Sequence, residues 1–109
     1  MHVIVLVTCP DDRTAERIAD VILKGRLAAC VSMIGGIRSR YWWKGRIEDA
    51  EECLLLIKTR KPLVEKVGKA VSDNHPCDVP EVMAIPVVDG SREYLSWLES
   101  EATGTGTSP

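Results

Sequence analysis

Two nearly continuous apolar runs are the feature that most constrains the fold of this chain. Residues 3–9 read Val-Ile-Val-Leu-Val-Thr-Cys, and residues 53–59 read Cys-Leu-Leu-Leu-Ile-Lys-Thr. Runs rich in branched aliphatic residues, without polar alternation, are typical of strands that are covered on both faces. We therefore expect these two segments to be the central strands of one sheet.

Helical patterns follow both runs. Asp11 and Asp12 offer N-cap oxygens, apolar residues then recur with helical spacing, and Gly25 supplies a C-terminal stop. A second segment with the same spacing begins near Pro62 and ends at His75-Pro76. The sequence therefore predicts two amphipathic helices, each placed after a central strand.

Two further strands complete the predicted sheet. Residues 27–34 form an apolar, small-residue run that closes or bends at Gly35-Gly36. Residues 81–88 are also strand-like, but prolines in and before this segment restrict its pairing, so we expect it at a sheet edge. Ser91 is the predicted N-cap of a short final helix.

The predicted order is strand, helix, strand, strand, helix, strand and short C-terminal helix. This is the α+β, split βαβ arrangement of a ferredoxin-like fold, with an antiparallel sheet ordered four, one, three, two and both main helices on one face. We expect a single domain over residues 1–101. Residues 102–109, rich in Gly, Thr and Ser, are expected to form a disordered tail.

The segment between the two main helices is longer than they can cover. Residues 27–60 hold two strands that turn at Lys44-Gly45, so we expect a long projecting hairpin with Tyr41, Trp42 and Trp43 near its tip. Exposed strand edges and aromatic side chains are normally covered by another subunit. We therefore predict a homo-oligomer with these aromatics in an interface. The alternative is that they line a ligand cleft.

Charge and hydropathy bear on the partners and the compartment. The chain has 14 Lys plus Arg against 16 Asp plus Glu, a formal net charge of -2, and so lacks the basic excess that nucleic-acid binders use. No apolar run approaches a membrane span, and the first residues lack a secretion signal. We expect a cytoplasmic protein with neither nucleic acid nor membrane as a partner.

Several short motifs occur together along residues 3–99. They are Thr8-Cys9-Pro10-Asp11, Arg26-Leu-Ala-Ala-Cys-Val31, Tyr41-Trp-Trp-Lys-Gly45, Leu55-Leu-Ile-Lys-Thr59, His75-Pro76, Val79-Pro-Glu81 and Tyr94-Leu-Ser-Trp97. In their order and spacing they resemble the CutA divalent-cation (copper) tolerance family. The resemblance implies a ferredoxin-like fold, a tight homotrimer formed by strand exchange, a cytoplasmic location and a role in tolerance of copper and other divalent ions.

Three side chains are the candidate metal ligands: Cys9, His75 and Cys77. In the predicted sheet, the C-terminal end of the first strand lies beside the N-terminal end of the fourth, which places Cys9 near the other two. Thiolate and imidazole select soft or borderline ions such as copper, and a position just ahead of a helix favours the thiolate. The alternative is that Cys9 fills the core and His75 simply terminates a helix.

The resemblance carries only His75 over directly as a metal ligand. Copper-associated members of the family have a cysteine where this chain has Val7, and a second histidine where it has Asn74. The family usually has tyrosine after His-Pro, whereas this chain has Cys77. We therefore hypothesise that the Cys77 thiol restores part of the site, with weak binding of copper or another divalent cation.

Other chemistry-bearing residues have ordinary structural interpretations. Cys30 and Cys53 lie inside apolar runs and are expected to fill the core. Lys58 and Glu81 could pair across an interface or contact a small anionic ligand. The acidic residues before the third strand are expected to be a solvated flank; they are Glu48, Asp49, Glu51 and Glu52.

The sequence favours binding over catalysis. It shows no Ser-His-Asp set, glycine-rich phosphate loop or paired-carboxylate spacing, and its two histidines leave little material for acid–base chemistry. We therefore expect a non-enzymatic, trimeric protein that binds metal ions and contributes to metal tolerance. The alternative is a trimeric sensor or scaffold whose inter-subunit clefts bind a small ligand.

Overall fold

The order of strands and helices is the predicted one. The computed structural model describes residues 1–106. Its elements are β1 (His2–Cys9), α1 (Asp12–Lys24), β2 (Cys30–Trp43), β3 (Arg46–Arg60), a short 3-10 turn (Lys61–Leu63), α2 (Val64–Asn74), β4 (Val82–Pro86) and α3 (Arg92–Glu101). This βαββαβ order with a C-terminal helix confirms the ferredoxin-like α+β prediction.

The four strands form one antiparallel sheet in the order β2-β3-β1-β4, as predicted. β1 pairs with β3 without interruption, from His2 opposite Arg60 to Cys9 opposite Cys53. On its other side β1 pairs with β4, which occupies the sheet edge. Pro86 is the last residue of β4, so its missing N–H costs little in sheet pairing.

Alternation along β1 separates a buried face of the sheet from an open one. The buried strand residues pack against α1 and α2, and together they form the main core; its members include Val3, Val5, Val7 and Cys9 of β1, Cys53, Leu55 and Ile57 of β3, and Ile18, Ile22, Val67 and Val71 of the helices. Both main helices therefore lie on one face. The expectation that β1 and β3 are covered on both faces is wrong for a single chain, because these two helices pack on one side alone.

The opposite side of the sheet is apolar and partly exposed. We call it the open sheet face; its apolar residues are Ile4, Leu6, Ile34, Leu54, Leu56, Met83 and Ile85. Met83 is 54% exposed and Ile85 is 48% exposed, although both lie in a strand. A contiguous apolar face of this kind marks an interaction surface.

The β2–β3 hairpin is long, as predicted, and turns at Lys44-Gly45. Both turn residues have positive φ, 50° and 77°, which fits the two-residue turn that matches the twist of a hairpin. A bulge interrupts the pairing between Ile34 and Ile37, where Gly36 has a φ of 69°. Trp42 near the tip is 72% exposed, so the aromatic cluster is uncovered within one chain.

The segment after α3 packs onto the domain. Ala102 is fully buried against Leu63 and Leu98, and Arg60 Nε donates to its carbonyl oxygen at 2.7 Å. The Gly104 N–H also donates to a backbone carbonyl, at 2.8 Å. Residues 102–104 thus differ from the expected disordered tail, because the small Ala102 side chain completes a second apolar cluster. Residues 107–109 of that predicted tail lie outside the described residues.

Candidate metal-binding site

Cys9 ends β1 and is fully buried. The pKa of its thiol is raised to about 12, chiefly by burial and to a lesser extent by the nearby Cys53, Asp11, Glu52 and Cys77 in that order. Cys9 is therefore a protonated thiol at neutral pH. The expected thiolate is wrong for the metal-free chain, because burial outweighs the effect of the helix that follows.

His75 follows α2 and bridges two pieces of backbone. Its Nδ1 accepts the Cys77 N–H at 3.1 Å, so the ring proton belongs on Nε2, which donates to the Thr8 carbonyl oxygen at 2.8 Å. Both ring nitrogens are therefore engaged. A metal ion that binds His75 has to displace one of these two hydrogen bonds.

Cys77 is exposed in the loop between α2 and β4, close enough to Cys9 to raise the pKa of that thiol. The three predicted ligands therefore lie at the C-terminal end of β1, where the sheet order brings the α2–β4 loop beside it. Within residues 1–106, no group of three or more His, Cys, Asp or Glu side chains is arranged to hold a metal ion. The ligands are neighbours without a preformed coordination geometry.

A solvent-open cavity of about 310 Å³ lies at the same end of β1. We call it the acidic cavity; its lining residues are Pro10, Asp11, Asp12, Gly36, Glu51, Glu52 and Cys53. Two carboxylates come from the start of α1 and two from β3, so chain segments distant in sequence supply its charge. Such a concentration of negative charge attracts cations.

Local backbone structure fixes the walls of the acidic cavity. Asp11 caps α1, accepting the Thr14 N–H at 2.7 Å, and this hydrogen bond lowers the pKa of its carboxyl. Gly35 packs against Asp12, since a Cβ at Gly35 would lie 3.2 Å from Asp12 Oδ1. After burial, the Asp12 carboxylate is the main cause that raises the pKa of the Cys53 thiol, so these two side chains lie close together.

Sequence reasoning missed this cavity. Glu51 and Glu52 were expected to be part of a solvated flank of the third strand, yet both line the cavity. The available signal was the pair Gly35-Gly36, which predicted a bend in the second strand. The strand register that brings this bend over the start of α1 could not be predicted from the pattern of residues.

A small cluster of polar side chains interrupts the apolar surface of the open sheet face. Lys58 Nζ donates to Ser32 Oγ and lies 3.7 Å from Cys30 Sγ. Cys30 is half-buried and lies beside this lysine. The expectation that Cys30 fills the core is wrong, because it lies on the sheet face away from the helices. Cys53, by contrast, is 2% exposed and part of the core, as predicted.

Comparison with known proteins decides the family. The family of the CutA1 divalent ion tolerance protein matches residues 3–101, nearly the whole chain. The chain belongs to this family. The similarity stated from the short sequence motifs is thereby confirmed.

Individual members of the CutA1 family support this assignment. The chain is 42% identical over 104 residues to the divalent-cation tolerance protein CutA of Thermus thermophilus, covering 95% of this chain and 100% of that protein. It is 43% identical over 98 residues to the chloroplastic protein CutA 1 of Oryza sativa, covering 90% of this chain and 55% of the rice protein. The chain thus spans about half the length of the rice relative.

Solved structures agree with the fold. The divalent cation tolerance protein Cut A1 from Thermus thermophilus superposes with a TM-score of 0.91 at 40% identity, over 97% of this chain and 100% of that one. In residues 1–106 of this chain, none of the helices has the length and apolar character needed to cross a membrane.

Proposed function

We propose that this chain contributes to divalent-cation tolerance by binding copper weakly at the C-terminal end of β1, without catalysing a reaction. The observation that carries the proposal is the His75 bridge, which holds the α2–β4 loop against Thr8. That bridge holds the imidazole against the residue before Cys9 and against the backbone N–H of Cys77. Imidazole and thiol sulfur are ligands that copper prefers.

The geometry explains why the proposed binding is weak. An ion that takes a nitrogen of His75 displaces a hydrogen bond, which costs about 1 kcal/mol. An ion that takes Cys9 displaces a proton from a thiol with a pKa of about 12. These two costs reduce the affinity, in keeping with a protein that sequesters excess ions.

We also propose that the active form is a cytoplasmic homotrimer. The open sheet face supports the oligomer, because its exposed apolar strand residues, such as Met83 and Ile85, need a covering surface. Free cysteines support a reducing compartment, since Cys9, Cys30, Cys53 and Cys77 are all unpaired.

Calorimetric titration of the reduced protein with Cu(II), and separately with Cu(I), tests the proposed site. The variants His75→Ala, Cys9→Ser and Cys77→Ser should each weaken or abolish saturable Cu(II) binding. Cys30→Ser is the matched control, because Cys30 lies on the open sheet face. Absent Cu(II) binding, or binding unaltered in all three variants, would overturn the proposal.

A second candidate function is a sensor or scaffold whose inter-subunit clefts bind a small ligand. Lys58 on the open sheet face favours this alternative. Within residues 1–106, the hydrogen bonds of its ammonium group go only to neutral partners, Ser32 and Cys30. Alkylation of the thiols distinguishes the two functions. A metal binder loses its ion affinity on alkylation, whereas a cleft sensor keeps its ligand-induced rise in melting temperature.

A further inference from the structure

Two buried thiols face each other at the end of the β1–β3 pairing. Cys9 and Cys53 are directly opposite in the antiparallel β1–β3 pair, and both belong to the core beneath the helices. Cys9 is fully buried, Cys53 is 2% exposed, and neither forms a disulfide. Directly opposed residues on one face of a sheet are close neighbours, so the two side chains form a dithiol pair.

The strand register sets the spacing of this pair. The Lys61 N–H donates to the Met1 carbonyl oxygen at 2.9 Å, so in this uninterrupted register the odd residues of β1 form hydrogen-bonded pairs with β3. The backbones of Cys9 and Cys53 therefore form a hydrogen-bonded pair, in which the Cα atoms lie about 5.5 Å apart.

This spacing fits a bridging ion better than a disulfide. Opposed Cβ atoms in such pairs lie about 4.5–5.5 Å apart, whereas disulfides have Cβ atoms about 3.8 Å apart on average. Bonds from thiolate sulfur to a metal ion are about 2.3 Å long for zinc, so two sulfurs on opposite sides of one ion lie about 4.6 Å apart. Cys9 and Cys53 can reach such an ion without a large movement of the backbone.

The acidic cavity gives a cation access to the pair. Cys53 is one of the residues that line it, and Pro10, which follows Cys9, is another. The carboxylates that line the cavity attract a cation toward the pair.

We propose that Cys9 and Cys53 form a two-coordinate thiolate site for Cu(I), loaded through the acidic cavity. Thiolates select Cu(I), and a linear ion needs no third ligand. On binding, each thiol loses its proton to solvent, two sulfur–copper bonds form, and no electron is transferred. The inference rests on the proposed copper binding for the identity of the ion, but it uses Cys53 in place of His75 and Cys77.

Competition with a chromogenic Cu(I) chelator, on the full chain kept reduced by a phosphine, tests the proposal. Cys9→Ser and Cys53→Ser should each lower Cu(I) affinity by at least about 100-fold, the upper end of what loss of a supporting residue costs a metal site. Cys30→Ser is the matched thiol control and should bind Cu(I) as the unmodified chain does. Unchanged Cu(I) affinity in folded Cys53→Ser would overturn the inference.

X-ray absorption of the Cu(I)-loaded unmodified chain provides a test that does not depend on a core substitution. Two sulfur neighbours are expected; nitrogen neighbours or three sulfurs would overturn the inference. The two copper proposals fail separately. If His75→Ala loses Cu(II) binding and Cys53→Ser keeps Cu(I) binding, the proposed function stands and the dithiol site is ruled out. If His75→Ala keeps Cu(II) binding and Cys53→Ser loses Cu(I) binding, the dithiol site stands and the proposed function is ruled out.

Discussion

His75 Nε2 lies 2.8 Å from the carbonyl oxygen of Thr8, so a side chain at the end of α2 is hydrogen-bonded to the strand residue before Cys9. The other ring nitrogen of His75 accepts the Cys77 N–H. One imidazole therefore positions both the end of β1 and the loop that carries Cys77. Metal binding at His75 and the local stability of this loop are coupled, because the two use the same nitrogen atoms.

Replacing His75 with alanine should destabilise the chain even without metal. The change removes a partly buried hydrogen bond to Thr8, and we expect the free energy of unfolding to fall by about 1 kcal/mol. Urea denaturation in the presence of a chelator measures this. Cys77→Ser is the control, since it keeps the backbone N–H that His75 accepts. Equal stability of His75→Ala and the unmodified chain would show that the His75 bridge contributes nothing to the free energy of unfolding.

Replacing Asp11 with alanine should lower the melting temperature by removing the N-cap of α1. Asp11→Asn retains an acceptor for the Thr14 N–H and is the control. The hydrogen bond from Thr14 lowers the pKa of Asp11 below 3.8 in the folded chain, so its stabilisation is complete above pH 3.8 and is lost as pH falls through the folded-state pKa. Melting curves over this acid range should therefore converge for the unmodified chain and Asp11→Ala. Curves that stay parallel would contradict this assignment.

The four thiols should react with an alkylating reagent in a definite order. Cys77 is exposed and should be modified first, followed by the half-buried Cys30. Cys9 and Cys53 are buried, and burial raises the pKa of each thiol, so both should resist modification until the chain unfolds. Mass spectrometry of peptides from a timed alkylation series measures the order. Rapid native-state labelling of Cys53 would contradict the buried dithiol pair.

A charge on the open sheet face should prevent assembly while leaving each chain folded. Met83→Glu places a carboxylate opposite Leu6, on the face that we propose another subunit covers. The unmodified chain should have the mass of a trimer in native mass spectrometry, and Met83→Glu should shift it to the monomer. Leu23→Glu is the control, because Leu23 is 41% exposed but lies on α1. A trimeric Met83→Glu protein would rule out this face as the interface.

Much of the fold was predictable because the local patterns were strong. The apolar run at residues 3–9 identified β1 to within one residue of its observed start at His2. The turn at Lys44-Gly45 was recognisable because few residues other than glycine tolerate the positive φ that the second turn position has. Helical spacing and capping residues located α1 in the same way.

The candidate site was less predictable, because it depends on strand register and on side-chain hydrogen bonds. Its position in an apolar run identified Cys53 as a core residue, but only the register places it opposite Cys9, and a shift of one residue would have turned it to the other face. Likewise, the pattern His75-Pro76 marked a helix end without showing that both ring nitrogens are used. Ala102 shows the same limit: its burial depends on a gap between Leu63 and Leu98 that no local pattern reveals.

Copper tolerance in living cells tests the central claim most directly. A copper-sensitive bacterial host would express either the unmodified chain or a variant combining His75→Ala, Cys9→Ser and Cys77→Ser, at equal levels of folded protein. Cys30→Ser serves as the control. The unmodified chain and the control should raise the Cu(II) concentration that halves growth, and the combined variant should not. Equal protection by the combined variant would contradict a tolerance function based on these ligands.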